Sequence, residues 1–181
     1  MKAIPTALPE VLIVEPDVVS DARGCFWESY NARRFFEATG FQPEFVQDNH
    51  TQSVRGALHG LHYQIRQPQG KLVRVVAGEI FDVSVDVRRS SPTFGRWVGI
   101  HLSAANRRQV WMPAGFAHGF SVLSERAEVL YKVTDFWAPD YERRILWSDP
   151  EIGIDWPQGA APLLSAKDAA APLLRDAEAF A

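Results

Sequence analysis

His62 and His118 are the side chains of this sequence best suited to chemistry, and their surroundings decide which chemistry. His62 lies in Gly60-Leu-His-Tyr-Gln64, and His118 closes Pro113-Ala-Gly-Phe-Ala-His118. Together the two segments read as strands of a metal-binding barrel whose other ligands have been lost. A metal site would need a His or carboxylate two residues after His62 and a Glu a few residues further on. Gln64 and then Gln67, Gln69 and Lys71 stand there instead. An ammonium group does not ligate a cation, so no metal is expected. The expected occupant is anionic, with His62 acting on it as a base.

A base, an acid and a cation can then be picked out. An imidazole titrating near pH ~6.5 is partly neutral in a cell and can accept a proton. Tyr131, titrating near ~10, keeps a proton to donate. Lys71 is a positive charge that could hold an enolate oxygen. Singly, each has a plainer reading: a hydrogen-bonded structural histidine, a packing tyrosine, a solvated strand-edge lysine. Jointly they suit epimerisation next to a ketone, in which a base removes a proton and an acid returns one on the opposite face. Acid and base each contribute about 10²- to 10⁴-fold, so the enolate-stabilising charge is needed as well. This chemistry calls for no cofactor, and the sequence carries no P-loop or dinucleotide-binding glycine pattern.

The elements that must position these groups are mostly strands. Short apolar or alternating runs are broken by Gly and Pro: Val11–Val14, Phe26–Tyr30, Phe45–Thr51, Leu58–Ile65, Leu72–Ala77, Ile80–Arg88, Trp97–Leu102, Gln109–Met112, Gly119–Leu123 and Val129–Phe136. Such a series predicts an all-β sandwich or barrel. A helix is expected from an Asn31 cap to Ala38, stopped by Gly40. A second is expected from a Ser165 cap to about Ala179, interrupted at Pro172. Residues 137–162, with four prolines, read as a wrapping loop. In Glu79–Arg88, Phe81, Val83, Val85 and Val87 alternate with Asp82, Ser84 and Asp86. That acidic face points to solvent in an ordinary sandwich and into the cavity in a barrel with a polar interior. Strict alternation separates His59 from His62, so both can enter one site only if Gly60 permits a bulge or twist.

Length and composition set outer limits. The 181 residues fit one domain, and a net charge of −3 advertises no surface for nucleic acid. A lone cysteine, Cys25, excludes an intrachain disulfide. No apolar run is long enough for a membrane span, and the first ten residues lack the apolar stretch of a signal peptide, so a cytoplasmic protein is expected.

Nine segments in register carry a more specific signal: Asp21-Ala-Arg-Gly24 with Glu28-Ser-Tyr30, Phe45-Val-Gln-Asp-Asn-His50, Gly60-Leu-His-Tyr-Gln64, Gly70-Lys-Leu-Val-Arg74, Gly78-Glu-Ile-Phe-Asp82, Ser91-Pro-Thr-Phe-Gly95, Pro113-Ala-Gly-Phe-Ala-His-Gly-Phe120, Leu130-Tyr-Lys132 and Ser165-Ala-Lys-Asp168. On these the chain resembles the dTDP-4-dehydrorhamnose 3,5-epimerase family. The resemblance implies a mainly β, cupin-type double-stranded β-helix or jelly-roll barrel over residues 1–181, with a short N-terminal helix and a C-terminal helical segment. It implies a homodimer in which residues of about 11–30 are shared with a partner subunit. It implies inversion of C3 and C5 of dTDP-4-dehydro-6-deoxy-D-glucose in dTDP-L-rhamnose biosynthesis, without metal or cofactor.

By position, the resemblance makes His62 the base, Asp168 its dyad partner, Tyr131 the proton donor and Lys71 the cation beside the ketone. Substrate-binding roles fall to Arg23, Phe26 and Glu28, to Gln47, Asp48 and Asn49, and to His59, His118, Glu142 and Lys167, with Phe136 and Trp137 near the thymine. One departure stands out: the family's Arg-Gly-Leu-His is His59-Gly60-Leu61-His62 here. An imidazole lacks the guanidinium's fork and permanent charge, which implies a weakened or pH-dependent KM. Arg55, four residues upstream, is the candidate to compensate. Other readings are a mono-epimerase or keto-sugar isomerase, a non-catalytic sugar-nucleotide-binding cupin and, least favoured, a metal-dependent oxygenase.

Overall fold

The computed structural model describes residues 1–157 and 161–181. Thirteen strands dominate it. β1 (Lys2–Pro5), β2 (Leu12–Glu15), β10 (Gln109–Met112), β7 (Lys71–Ala77), β12 (Arg126–Val133) and β5 (Gln47–Val54) form one sheet in that spatial order. β13 (Glu142–Arg144), β6 (Leu58–Gln64), β11 (Phe116–Val122), β8 (Glu79–Asp86) and β9 (Trp97–Ser103) form the second. β3 (Val19–Asp21) and β4 (Gly24–Phe26) make a separate hairpin. All pairs within the sheets are antiparallel, and the two large sheets face each other as the expected cupin-like barrel.

Three apolar clusters hold the barrel. Between the sheets, Val73 and Val75 meet Ile80, Leu102, Phe120 and Val129 at one end. Behind the five-stranded sheet, the outward residues Leu61, Tyr63, Val83 and Val85 are covered by Ile152, Leu174 and Ala177 of the C-terminal segment. Behind the six-stranded sheet, Phe35 packs on Leu72 and Trp111. Phe35 comes from α1 (Ala32–Thr39), which Asn31 caps by accepting from the Arg34 N–H and Gly40 closes at φ 76°. Both boundaries agree with the capping signals.

β8 resolves the question raised by its two faces. Phe81, Val83 and Val85 join the outer cluster, and Asp82, Ser84 and Asp86 are buried as well. The acidic face therefore points into the barrel, not into solvent. Asp86 is neutralised by Arg88 at 2.8 Å and accepts from Ser91 and Thr93. Burial opposes its ionised form, but these partners outweigh it and hold the carboxyl down at about 2.

Three element assignments change. The C-terminal helix, expected to reach about Ala179, ends early: α2 spans only Ala166–Ala169, with a one-turn 3₁₀ segment at Leu174–Asp176. Pro172 lacks an N–H, and the residue before a proline is pushed out of the helical region. Residues Phe26–Tyr30, expected as a strand, contribute only Phe26 to β4, because among the described residues no strand pairs with residues 27–30. The loop expected over 137–162 holds a 3₁₀ turn and β13, and its residues 158–160 lie outside the described residues.

Candidate active site

The polar end of the barrel opens as a cavity of about 400 Å³. β5 supplies one wall. Its alternating exposure sends Gln47, Asn49, Thr51 and Ser53 inward and Asp48 outward, where Lys132 pairs with it at 3.0 Å. Asp48 is thus placed on the opposite face of the strand from the cavity. β12 lies beside β5 and presents Tyr131, opposite Asn49 in register.

The opposing wall is β6 with β11. The register shifts between the His62–His118 pair and the His59–Phe120 pair, so His59 and His62 face the same cavity. Gly60 allows this irregularity. It sits at φ +117°, and a Cβ there would fall 2.5 Å from the Gly119 Cα. Leu61 and Tyr63 turn to the outer cluster, and the Tyr63 hydroxyl donates to the Glu178 carbonyl.

Two histidine–carboxylate pairs result. His62 Nε2 lies 2.6 Å from Asp168 Oδ1, the carboxylate reaching in from α2, where the Ser165 cap fixes its backbone. Burial would raise the Asp168 carboxyl, but the His62 hydrogen bond and the charges of His62 and Arg144 outweigh it and hold it low. Asp168 is therefore a carboxylate placed to orient the imidazole. His118 Nε2 lies 2.7 Å from Asp82 Oδ2, and both are buried. The sequence singled out His118 but left Asp82 undecided.

Lys71, only 7% exposed, opens β7 and its ammonium donates to the His62 carbonyl at 3.4 Å. Burial pulls its pKa down to about 8, against the opposing pull of Asp82 and Glu142. Burial, then the Glu142 charge, pushes the Tyr131 phenol up, so it holds its proton firmly. Base and phenol come from opposing sheets with the ammonium among them, the disposition needed for proton removal on one face and delivery on the other.

His59 is the third imidazole. Its Nε2 is 2.9 Å from Ser53 Oγ, and its ring stacks on Phe120 at 4.8 Å. Burial and the neighbouring imidazoles His62 and His118 lower its pKa, with Asp168 opposing, so it is neutral near pH 7. Arg55 does not supply the missing charge: it is exposed at the β5–β6 turn and absent from the cavity wall. Among the described residues no three His, Cys, Asp or Glu side chains converge to hold a metal ion.

Other expected positions are spread more widely. Glu142 lines the cavity, and Trp137 stands at its mouth, where its backbone N–H donates to Gln47 Oε1. Phe136 is exposed beside Trp137. Lys167 lies instead in an open groove behind β13, with Arg143 and Arg144. Arg23, Phe26 and Glu28 do not line the cavity. Arg23 pairs with Asp21 at 2.6 Å on the hairpin, and Glu28 accepts from Asn31 and Arg34. Residues missed by the sequence reading include Thr51, Ser53, Gln69 and Phe120 in the wall. Period-two alternation continued along β5 would have found the first two and excluded Asp48.

Known proteins resemble this chain in sequence and fold. The sequence profile described as dTDP-4-dehydrorhamnose 3,5-epimerase matches residues 5–176. The protein of that name from Pseudomonas aeruginosa is 63% identical over 180 residues, 99% of either chain, and the Salmonella typhimurium protein is 58% identical over 178 residues, 98% of this chain and 97% of that one. The crystal structure of the Legionella pneumophila dTDP-6-deoxy-D-glucose-3,5-epimerase, in complex with dTDP-4-keto-L-rhamnose, superposes with a TM-score of 0.94 at 53% identity, covering 97% of this chain and 93% of that one. A 3'-monoepimerase from Streptomyces bikiniensis in complex with dTDP-quinovose superposes at 0.89 with 37% identity, covering 97% and 88%.

Proposed function

Because the chain belongs to the dTDP-4-dehydrorhamnose 3,5-epimerase family, we propose that it inverts C3 and C5 of dTDP-4-dehydro-6-deoxy-D-glucose to give dTDP-4-dehydro-L-rhamnose, in dTDP-L-rhamnose biosynthesis. The observation that carries the reading is the His62–Asp168 pair facing Tyr131 across one cavity that also holds the buried Lys71 ammonium.

In this reading His62 removes the proton from the carbon beside the C4 ketone, and Asp168 steadies the imidazolium that forms. The electron pair moves onto the ketone oxygen, and Lys71 stabilises that enolate. Tyr131 delivers a proton from the opposite wall; His62 then gives its proton to solvent water, the Tyr131 phenolate takes one back from it, and the cycle repeats at the second carbon. Gln47, Asn49, His118 and Glu142 contact the substrate, and Trp137 stacks on the thymine. No metal or cofactor takes part.

The protein acts as a homodimer with shared sites in the cytoplasm. The hairpin carrying Arg23 and Phe26, with Glu28 after it, reaches into a partner's cavity, in keeping with the absence of these residues from the lining of its own. Among the described residues no helix is long and apolar enough to cross a membrane.

The test is conversion of the 4-keto sugar nucleotide by wild-type protein and by His62→Ala. The reading expects a product inverted at both carbons and a loss of at least ~10³-fold in the variant. Inversion at one carbon would make the protein a mono-epimerase, the activity named for the S. bikiniensis protein. Undiminished turnover by His62→Ala would remove the histidine from the mechanism.

A further inference from the structure

Arg144 has no part in the chemistry described, yet its guanidinium meets that machinery at two points. β13 pairs with β6 so that Arg144 stands opposite His62 and Glu142 opposite Gln64. Arg144 Nη2 donates to Glu142 Oε2. Arg144 Nε lies 3.4 Å from Asp168 Oδ1, the same oxygen that meets His62 Nε2 at 2.6 Å. That Nε is buried and makes no hydrogen bond among the described residues, so its link to Asp168 is one of charge. Glu142, for its part, lines the cavity and acts on both Lys71 and Tyr131. One cation is therefore divided between the carboxylate behind the base and the carboxylate beside the ammonium.

We propose that Arg144 is a positioning residue that sets the pH window of the reaction by drawing charge from Asp168 and Glu142 together. The inference rests on the roles given above to His62 and Lys71. The charged groups around Arg144 fit it. Asp168 and Lys167 come from α2 and His62 from β6. Arg143 is occupied by Glu178 at 2.8 Å, and Asp176 is paired with Arg175 at 3.6 Å.

Without Arg144 the full charge of Asp168 would fall on His62 and favour the imidazolium, moving the acid limb of kcat/KM upward. Glu142, no longer neutralised, would hold the Lys71 proton more tightly and move the basic limb upward too. The whole profile would slide to higher pH, which the loss of a packing contact does not produce. The scale is about half to one pH unit, at the low end for a charge placed 4–6 Å away because the groove behind β13 is open to solvent.

The test compares wild type, Arg144→Met and Arg144→Lys, by kcat/KM from pH 5.5 to 10 and by NMR titration of the His62 ring in substrate-free protein. Both limbs and the ring midpoint are expected to rise in Arg144→Met and to stay near wild type in Arg144→Lys, which keeps the charge. Unmoved limbs and midpoint, whatever the drop in kcat, would overturn the proposal. Should Met at 144 prevent folding, Glu142→Gln reports the same coupling with opposite sign. It turns the guanidinium wholly toward Asp168 and takes a carboxylate from Lys71, so both limbs must fall, and unmoved limbs again overturn the idea. The NMR arm needs no substrate, so it judges Arg144 even if wild-type protein proves inactive on the keto sugar.

Discussion

At the scale of the residue, Lys71 and His59 carry the most consequence because burial has moved both from their ordinary titration. Lys71 must be charged to hold an enolate, and its pKa of about 8 places the loss of that charge within reach of assay. kcat/KM should fall above pH 8, and a rate constant flat to pH 9.5 would remove Lys71 from the enolate. Unfolding would not explain the fall. With the folded pKa below the ordinary 10.5, the unfolded chain binds more protons between about pH 8 and 10.5, so this group makes the fold more stable as pH rises through that window. His59 is neutral near pH 7 and gains charge only as pH drops below its lowered pKa. Affinity for dTDP should therefore improve toward acid pH. His59→Arg, by adding a permanent charge-assisted hydrogen bond, should tighten dTDP about tenfold and flatten that dependence. Calorimetric titration from pH 5.5 to 8 checks both, and equal affinities in the two proteins would contradict the account.

At the scale of the element, the site depends on β6 bending at Gly60 so that His59 and His62 share one face. A methyl group at this position would collide with the β11 backbone in a conformation that L residues avoid. Gly60→Ala should lose at least about 2 kcal/mol of stability in denaturant unfolding and most of its activity, whereas a stable, active variant would mean the bend is dispensable. The glycine was visible in the sequence, and so was its reason, since two histidines three apart cannot otherwise meet. β10 and α1 were legible for similar local causes: a short apolar run ending at a proline, and an asparagine cap with a terminal glycine. β11 was legible only in part. The sequence suggested a start at Gly119, but the strand begins at Phe116 because Ala117 and His118 are buried on both faces and show no alternation. β13 was not legible at all. Three residues in a proline-rich stretch become a strand only because β6 lies beside them, so Arg144 and its link to Asp168 had no local signature.

At the scale of the whole molecule, the hairpin stands apart, with Phe26 72% exposed and the Arg23 side chain 90% exposed. Such surface on an arm whose two strands pair only with each other among the described residues fits exchange between two copies. If Arg23 serves the partner's site, Arg23→Ala and His62→Ala proteins, each poorly active alone, should complement when their subunits are mixed. Random pairing makes half the dimers mixed, each with one intact site, so about one quarter of wild-type activity should return. No recovery after demonstrated subunit exchange would mean that each site is built from a single chain. The central claim, that one base and one acid on opposing walls invert two carbons flanking a ketone, is tested most directly by turning over dTDP-4-dehydro-6-deoxy-D-glucose in deuterated water. Solvent deuterium should appear at both C3 and C5 of the inverted product. Inversion without deuterium at either carbon would contradict removal and return of a proton by these groups.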